Sequence, residues 1–187
     1  MQKIIIGTFV GGLILFFWQF VSWQLANLHG SSMTYTPLEG QILECLSEAG
    51  LPEGEYFIPN RPPDMDPAEY MTLATEKYIG KPWAQIQYHH NFQNTMVMNL
   101  IRGFIIDLLA AFFVCIILAG NPSLNFRKIL STCLAVGMIG YLTIPYLNTI
   151  WFKTTSIPYL IDAIVPWALI GLVLGKILLS RGDTVSE

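Results

Sequence analysis

Apolar residues crowd into four long runs, at positions 4–23, 96–118, 129–147 and 159–179, while polar residues gather between and after them. The hydrocarbon core of a bilayer is about 30 Å thick and takes about 20 helical residues to cross, and each run is close to that length. The pattern predicts four membrane-spanning helices. The one long polar stretch falls between the first and second runs. The chain therefore divides into a first span over 1–26, an extracytoplasmic domain over 27–94, and spans two to four with a short cytoplasmic tail over 95–187.

Inside the polar stretch the period changes repeatedly. Leu38, Ile42, Leu46 and Ala49 recur at helical spacing across 37–49, and Gly50 is placed to end that helix. The run Gly54, Glu55, Tyr56, Phe57, Ile58, Pro59 reads as a short strand, and Pro62-Pro63 imposes an extended turn after it. Asp66, Pro67 and Glu69 then supply an N-cap, a first-turn proline and a third-position acid, predicting a helix to about Tyr78 with Gly80 behind it. Residues 83–88 alternate apolar and polar, a second strand. The predicted fold class is a membrane all-α protein, a four-transmembrane-helix bundle with a small α/β extracytoplasmic cap between spans 1 and 2. Two strands alone are marginal, so the cap is expected to pair them and lean on the outer ends of the spans.

Charge orients this arrangement. Charged residues are only 12% of the chain against 53% hydrophobic, where a soluble domain carries about a quarter. Lysine and arginine near span ends favour the cytoplasm. Lys3, the pair Arg127 and Lys128, and Lys176 with Arg181 fall on one side if all four runs span; the acidic loop and Lys153 fall on the other. Both termini are therefore expected in the cytoplasm. Trp18, Trp23, Tyr146, Trp151, Phe152 and Tyr159 cluster at the outer ends as an interfacial belt. The loop carries nine acidic residues from Glu39 to Glu76 and no basic patch, which excludes a nucleic-acid partner. Cys115 and Cys133 fall inside apolar runs and Cys45 stands alone, so no disulfide framework or zinc spacing exists. The first run is too long for a signal-peptide core and reads as a retained anchor.

The Gly-Gly-Leu-Ile-Leu-Phe-Phe-Trp-Gln-Phe run at 11–20, the Gly-Glu-Tyr-Phe-Ile-Pro element at 54–59 and Tyr88-His89 before the second span resemble a set of uncharacterised bacterial four-span inner-membrane proteins with an extracytoplasmic loop domain after the first span. The resemblance implies the same architecture and a bacterial inner-membrane location. It implies no biochemical role.

Candidate chemistry is sparse. Arg102 and Asp107 lie in the second span, roughly 9 Å and 16 Å deep, and Asp162 lies roughly 6 Å into the fourth. Ionised residues at a helix centre cost about 2.5–3.5 kcal/mol and face the bundle. Asn99, Arg102, Asp107 and Asp162 form the candidate polar pocket, with Gln19 and Ser22 in the outer half of the first run. Matching depths predict an Arg102–Asp162 pair. Pro166, four residues after Asp162, frees that residue's carbonyl. His89 and His90 are interfacial candidates, but neighbours in an extended segment point to opposite faces and do not share a metal. His29 is a lone loop histidine. Gly7 with Gly11, and Gly171 with Gly175, are close-approach pairs for helix packing. They predict that spans one and four pack closely on the cytoplasmic side and splay outward around a polar vestibule.

No catalytic, metal or cofactor motif is present. The expected function is a non-enzymatic accessory or interaction component of the membrane, with the bilayer and a membrane or periplasmic protein as partners. The alternative is a small transporter or a solute- or lipid-binding protein using the outer-leaflet pocket. An outer-interface enzyme with His89 or His90 as base ranks third.

Overall fold

The computed structural model describes residues 1–180; Arg181 lies outside the described residues. Four helical segments are long and apolar enough to cross a membrane: Gln2–Leu25, Met96–Ala119, Phe126–Phe152 and Ile157–Leu179. The first comprises α1 (Gln2–Phe20) and one π turn, Val21–Leu25. After α2, β1, α3 and β2 of the polar stretch, the second segment is α4 (Met96–Ala119). The third runs as α5 (Phe126–Tyr141), a π turn Leu142–Tyr146 and the short α6 (Leu147–Phe152). The fourth is α7 (Ile157–Leu179). Pro145 sits in the second π turn, where a missing N–H widens the ladder.

The chain forms two compact units, one of residues 1–34 with the chain from 95 onward, the other of residues 35–94. In the helical unit α1 packs on α4 and α7, and α7 packs on α5, while α4 and α5 touch only lightly. Small residues let the helix backbones of this unit approach closely. The glycines show where that happens. A Cβ on Gly7 would stand 2.8 Å from Leu174 and 2.9 Å from the sulfur of Cys115; one on Gly11 would stand 2.9 Å from Ala111. Gly171 and Gly175 instead admit α5, through Leu130 and Phe126. Only the first glycine pair thus brings α1 against α7 and α4. Gly137 gives a further close approach, admitting the Ala163 carbonyl and the Trp167 ring. Leu15, Val114, Cys115, Leu118, Ile129, Cys133, Ile170 and Leu174 form the core. Lys3 donates to the carbonyls of Leu178 (3.1 Å) and Ser180 (2.6 Å), which puts the start of α1 and the end of α7 at one end of the unit.

The second unit follows the predicted order. It holds α2 (Glu39–Glu48), β1 (Gly54–Ile58), α3 (Pro67–Lys77) and β2 (Ala84–Tyr88). The strands pair antiparallel, with Tyr56 opposite Ile86. Gly50 and Gly80 follow the two helices at φ 65° and 78°, a region open to glycine. Asp66 caps α3, its side chain accepting from the amides of Ala68 (2.8 Å) and Glu69 (3.3 Å). The apolar stripe predicted on α2 is present but stays uncovered: Leu38 and Ile42 are about half exposed, and Tyr88 is the buried side chain of this unit.

Candidate polar site in the helical bundle

The site begins with the way the first span ends. The π turn carries one extra residue per turn and re-aims Ser22 and Trp23 from the straight-helix positions. Asn27 then adopts φ 45°, a left-handed conformation that asparagine tolerates, and the chain turns back. The amide of Ser32 donates to the His29 carbonyl (2.9 Å), and the hydroxyls of Ser32 and Thr155 meet at 2.7 Å. This loop is thereby pinned to the link between α6 and α7, and His29 comes to lie against the first turn and a half of α7.

Asp162 is the hub. Its Oδ1 accepts from Trp18 Nε1 (2.9 Å) and Ser22 Oγ (2.7 Å), and its Oδ2 meets His29 Nε2 at 2.8 Å. His29 is 2% exposed, stacked flat on Trp23 with ring centres 4.0 Å apart and met edge-on by Tyr159 at 4.8 Å. An ionised carboxylate only accepts, so His29 Nε2 is the donor of this contact and Nδ1 is left for another partner. That Nδ1 is enclosed without a partner. Beside this cluster, Asp107 is 5% exposed; its Oδ1 accepts from Gln19 Nε2 at 2.8 Å, and its Oδ2 is enclosed and unpaired.

The four residues expected to share a pocket thus divide. Asp107 and Asp162 both turn toward the first span. Asn99 bonds Thr95 at 3.0 Å on an exposed face, and Arg102 is exposed with no ion pair among the described residues. The expected Arg102–Asp162 pair does not form. Its place is taken by His29, Ser22 and Trp18. The polar halves of spans one and four are consequently joined by hydrogen bonds rather than splayed around a vestibule. His89 is exposed, while His90 packs its ring on Tyr88 and donates its amide to Glu53 (2.9 Å); neither joins the cluster. Among the described residues no group of three or more His, Cys, Asp or Glu side chains converges as a metal site would require.

The Asp162 side chain remains 25% exposed, and it looks into a groove of about 460 Å³. Phe113, Val114 and Ile117 of α4 form one wall, Gly137, Gly140 and Tyr141 of α5 the other, and Tyr159, Asp162 and Trp167 of α7 the floor. The groove exists because α4 and α5 barely touch and because nothing lies within 4 Å of the position a Gly140 Cβ would take. Tyr141 lends its O–H to Ser156 at 3.2 Å, so the carboxylate is the strongest acceptor in an otherwise apolar trough.

Compared with protein-family models, curated proteins and solved structures, the chain matches none of them.

Proposed function

We propose that this chain is an integral protein of the bacterial inner membrane that binds an amphipathic ligand in the groove between its second, third and fourth spans. Both termini face the cytoplasm and residues 35–94 lie outside. The tie between Lys3 and the end of α7 supports termini on one side, and the lysine and arginine bias supports which side it is. One observation carries the binding role: a carboxylate held by three donors sits at the floor of an apolar groove with part of its surface free. Ionisable groups at membrane depth mark functional sites by default. Three of Asp162's four or so lone-pair directions are occupied, which leaves one on Oδ2 for a donor from a ligand. The apolar walls take a hydrocarbon tail.

The test is purification in mild detergent followed by organic extraction and mass spectrometry. A lipid or small amphiphile near one per chain is expected in the wild type. It should be depleted by Asp162→Asn, which changes the anchor, and by Gly140→Leu, which fills the groove. Wild-type protein that carries no ligand, and takes up none from an added membrane extract, would overturn the reading.

A second reading, an accessory component that recruits a protein, has its own support. On the 35–94 unit Leu38, Ile42, Leu43, Met71 and Trp83 are all exposed. A stoichiometric protein partner in a mild-detergent pull-down, released by Ile42→Glu, would favour it.

A further inference from the structure

A polar basin of about 510 Å³ lies where the loop after the first span meets the link between the third and fourth. Ser31, Ser32, Thr154 and Thr155 supply hydroxyls, Asn148 an amide and Lys153 an ammonium. The described acidic residues of the helical unit are Asp107 and Asp162, and neither lines the basin. Lys153 stands at φ 53° and ψ 33° just past α6 and has no acidic partner among the described residues. The Ser32–Thr155 bond fixes the two walls together. Thr155 precedes the N-cap of α7, Ser156, whose hydroxyl accepts from Tyr141 and caps no first-turn amide, so the positive end of a 23-residue helix adds to the field. Through Ser31 and Thr155, which line both, the basin continues into a trough of about 500 Å³. Leu28 of the loop and Ile157, Pro158 and Ile161 of α7 make that trough apolar. Ser31 and Thr155 thus mark a seam between a cationic compartment and a hydrocarbon-like one.

We infer that this seam is a binding site for an anionic phospholipid of the bilayer, with its phosphate in the Lys153 basin and an acyl chain in the trough of Leu28, Ile157, Pro158 and Ile161. An ammonium and neutral donors, without a competing carboxylate, are the partners a phosphate needs. A choline or ethanolamine headgroup brings a cation of its own, for which the basin holds no counter-charge, so the charge balance favours a headgroup with net negative charge. The level fits as well. A link between two membrane spans lies among the headgroups, and from Ile157 to Ile161 the trough follows α7 for about 6 Å toward the hydrocarbon. Ile157 is 71% exposed, which leaves the trough within reach of surrounding lipid. A free phosphate ion would fill the basin and leave the trough empty; a neutral hydrocarbon would do the reverse. The site is distinct from the proposed ligand site of the groove. Pro145 and Tyr159 border both, but Asp162, Gly137 and Gly140 line neither the basin nor the trough.

The test uses the full chain in nanodiscs of equal phosphatidylglycerol and phosphatidylcholine, with native mass spectrometry of the retained lipid. Wild type should retain phosphatidylglycerol over phosphatidylcholine about fivefold, the worth of one lysine at an anionic headgroup. Lys153→Gln, at an exposed position, should bring the two lipids to parity, and Arg102→Gln, which removes an equal charge from an exposed face of α4, should leave the preference intact. Ile157→Ser should lower retention of both lipids and keep their ratio. Gly140→Leu, which fills the groove, should also keep the ratio. Wild type without a preference, an equal loss in Arg102→Gln, or retention unaffected by Ile157→Ser would overturn the site and leave the groove reading standing. A preference lost in Gly140→Leu but kept in Lys153→Gln would move it to the groove and also overturn the site. Inorganic phosphate that raises the melting temperature of wild type but not of Lys153→Gln, without lipid selectivity, would assign the basin to a free ion instead.

Discussion

Asp162→Ala tests the hub directly. The substitution removes the acceptor for Trp18, Ser22 and His29 together. Hydrogen bonds between helices inside a bilayer are worth about 0.6 kcal/mol on average and about 1.7 at most. A carboxylate acceptor belongs at the upper end, so three such bonds put the loss at about 2–5 kcal/mol. Asp162→Asn is milder and more specific. Its oxygen still serves Trp18 and Ser22, but its amide N–H now faces His29 Nε2. To accept, His29 must move its proton to Nδ1, and that atom is enclosed without a partner. An enclosed unpaired donor costs about 1–3 kcal/mol, which is the expected loss. Arg102→Gln, on an exposed face, should cost no more than about 0.5 kcal/mol. The assay is reversible unfolding in mixed micelles, read by tryptophan fluorescence, to which Trp18 and Trp23 at the site contribute. A His29→Ala/Asp162→Ala cycle should show a coupling of about 1 kcal/mol. Additivity within about 0.3 kcal/mol in that cycle, or an Arg102→Gln loss equal to that of Asp162→Ala, would refute the assignment of the hub.

Other predictions follow from separate parts of the chain. Gly137→Ala should destabilise the bundle by about 1–3 kcal/mol, because the new methyl overlaps the Ala163 carbonyl and the Trp167 ring; Gly140→Ala, in open space, should be neutral or mildly stabilising in the same unfolding assay. On intact spheroplasts a membrane-impermeant thiol reagent should label the exposed Cys45 and spare the buried Cys115 and Cys133, while a reporter fused after Leu179 should read as cytoplasmic; a periplasmic signal there would reverse the orientation. Asp66→Ala should cost α3 about 1 kcal/mol, seen as about fivefold faster hydrogen exchange at the Ala68 and Glu69 amides.

What was legible along the chain was periodic or punctuated. Four apolar runs became four helices because run length alone decides whether a helix can span. The α3 cap, the glycines after α2 and α3, and the two paired strands follow from side-chain chemistry local to each position. Partnership was less legible. The α2 stripe has the helical period, yet period says only that one face is apolar, not that anything covers it. Gly171 and Gly175 mark a close approach correctly, but spacing does not name the neighbour, which is α5.

The polar site shows the same limit at its sharpest. Depth along a helix is computable from sequence, and Arg102 and Asp162 were matched by depth. Azimuth decides contact. Arg102 and Asp107 are five residues apart and so about 140° apart around α4. Once Asp107 faces Gln19 of the first span, Arg102 must face away from it, toward the exposed side where the structure has it. The carboxylates of the apolar helices then needed donors from elsewhere, and the first helix had offered them: Trp18, Gln19 and Ser22 stand within one and a half turns. His29 carried no periodic signal, since it lies past a π turn and a left-handed asparagine that no apolar pattern marks. The signal that could have found it is stoichiometric. Two carboxylates in the spans offer about eight lone-pair directions, the arginine on α4 can face only one way, and a histidine a few residues beyond the span that holds the remaining donors is the nearest group able to complete Asp162.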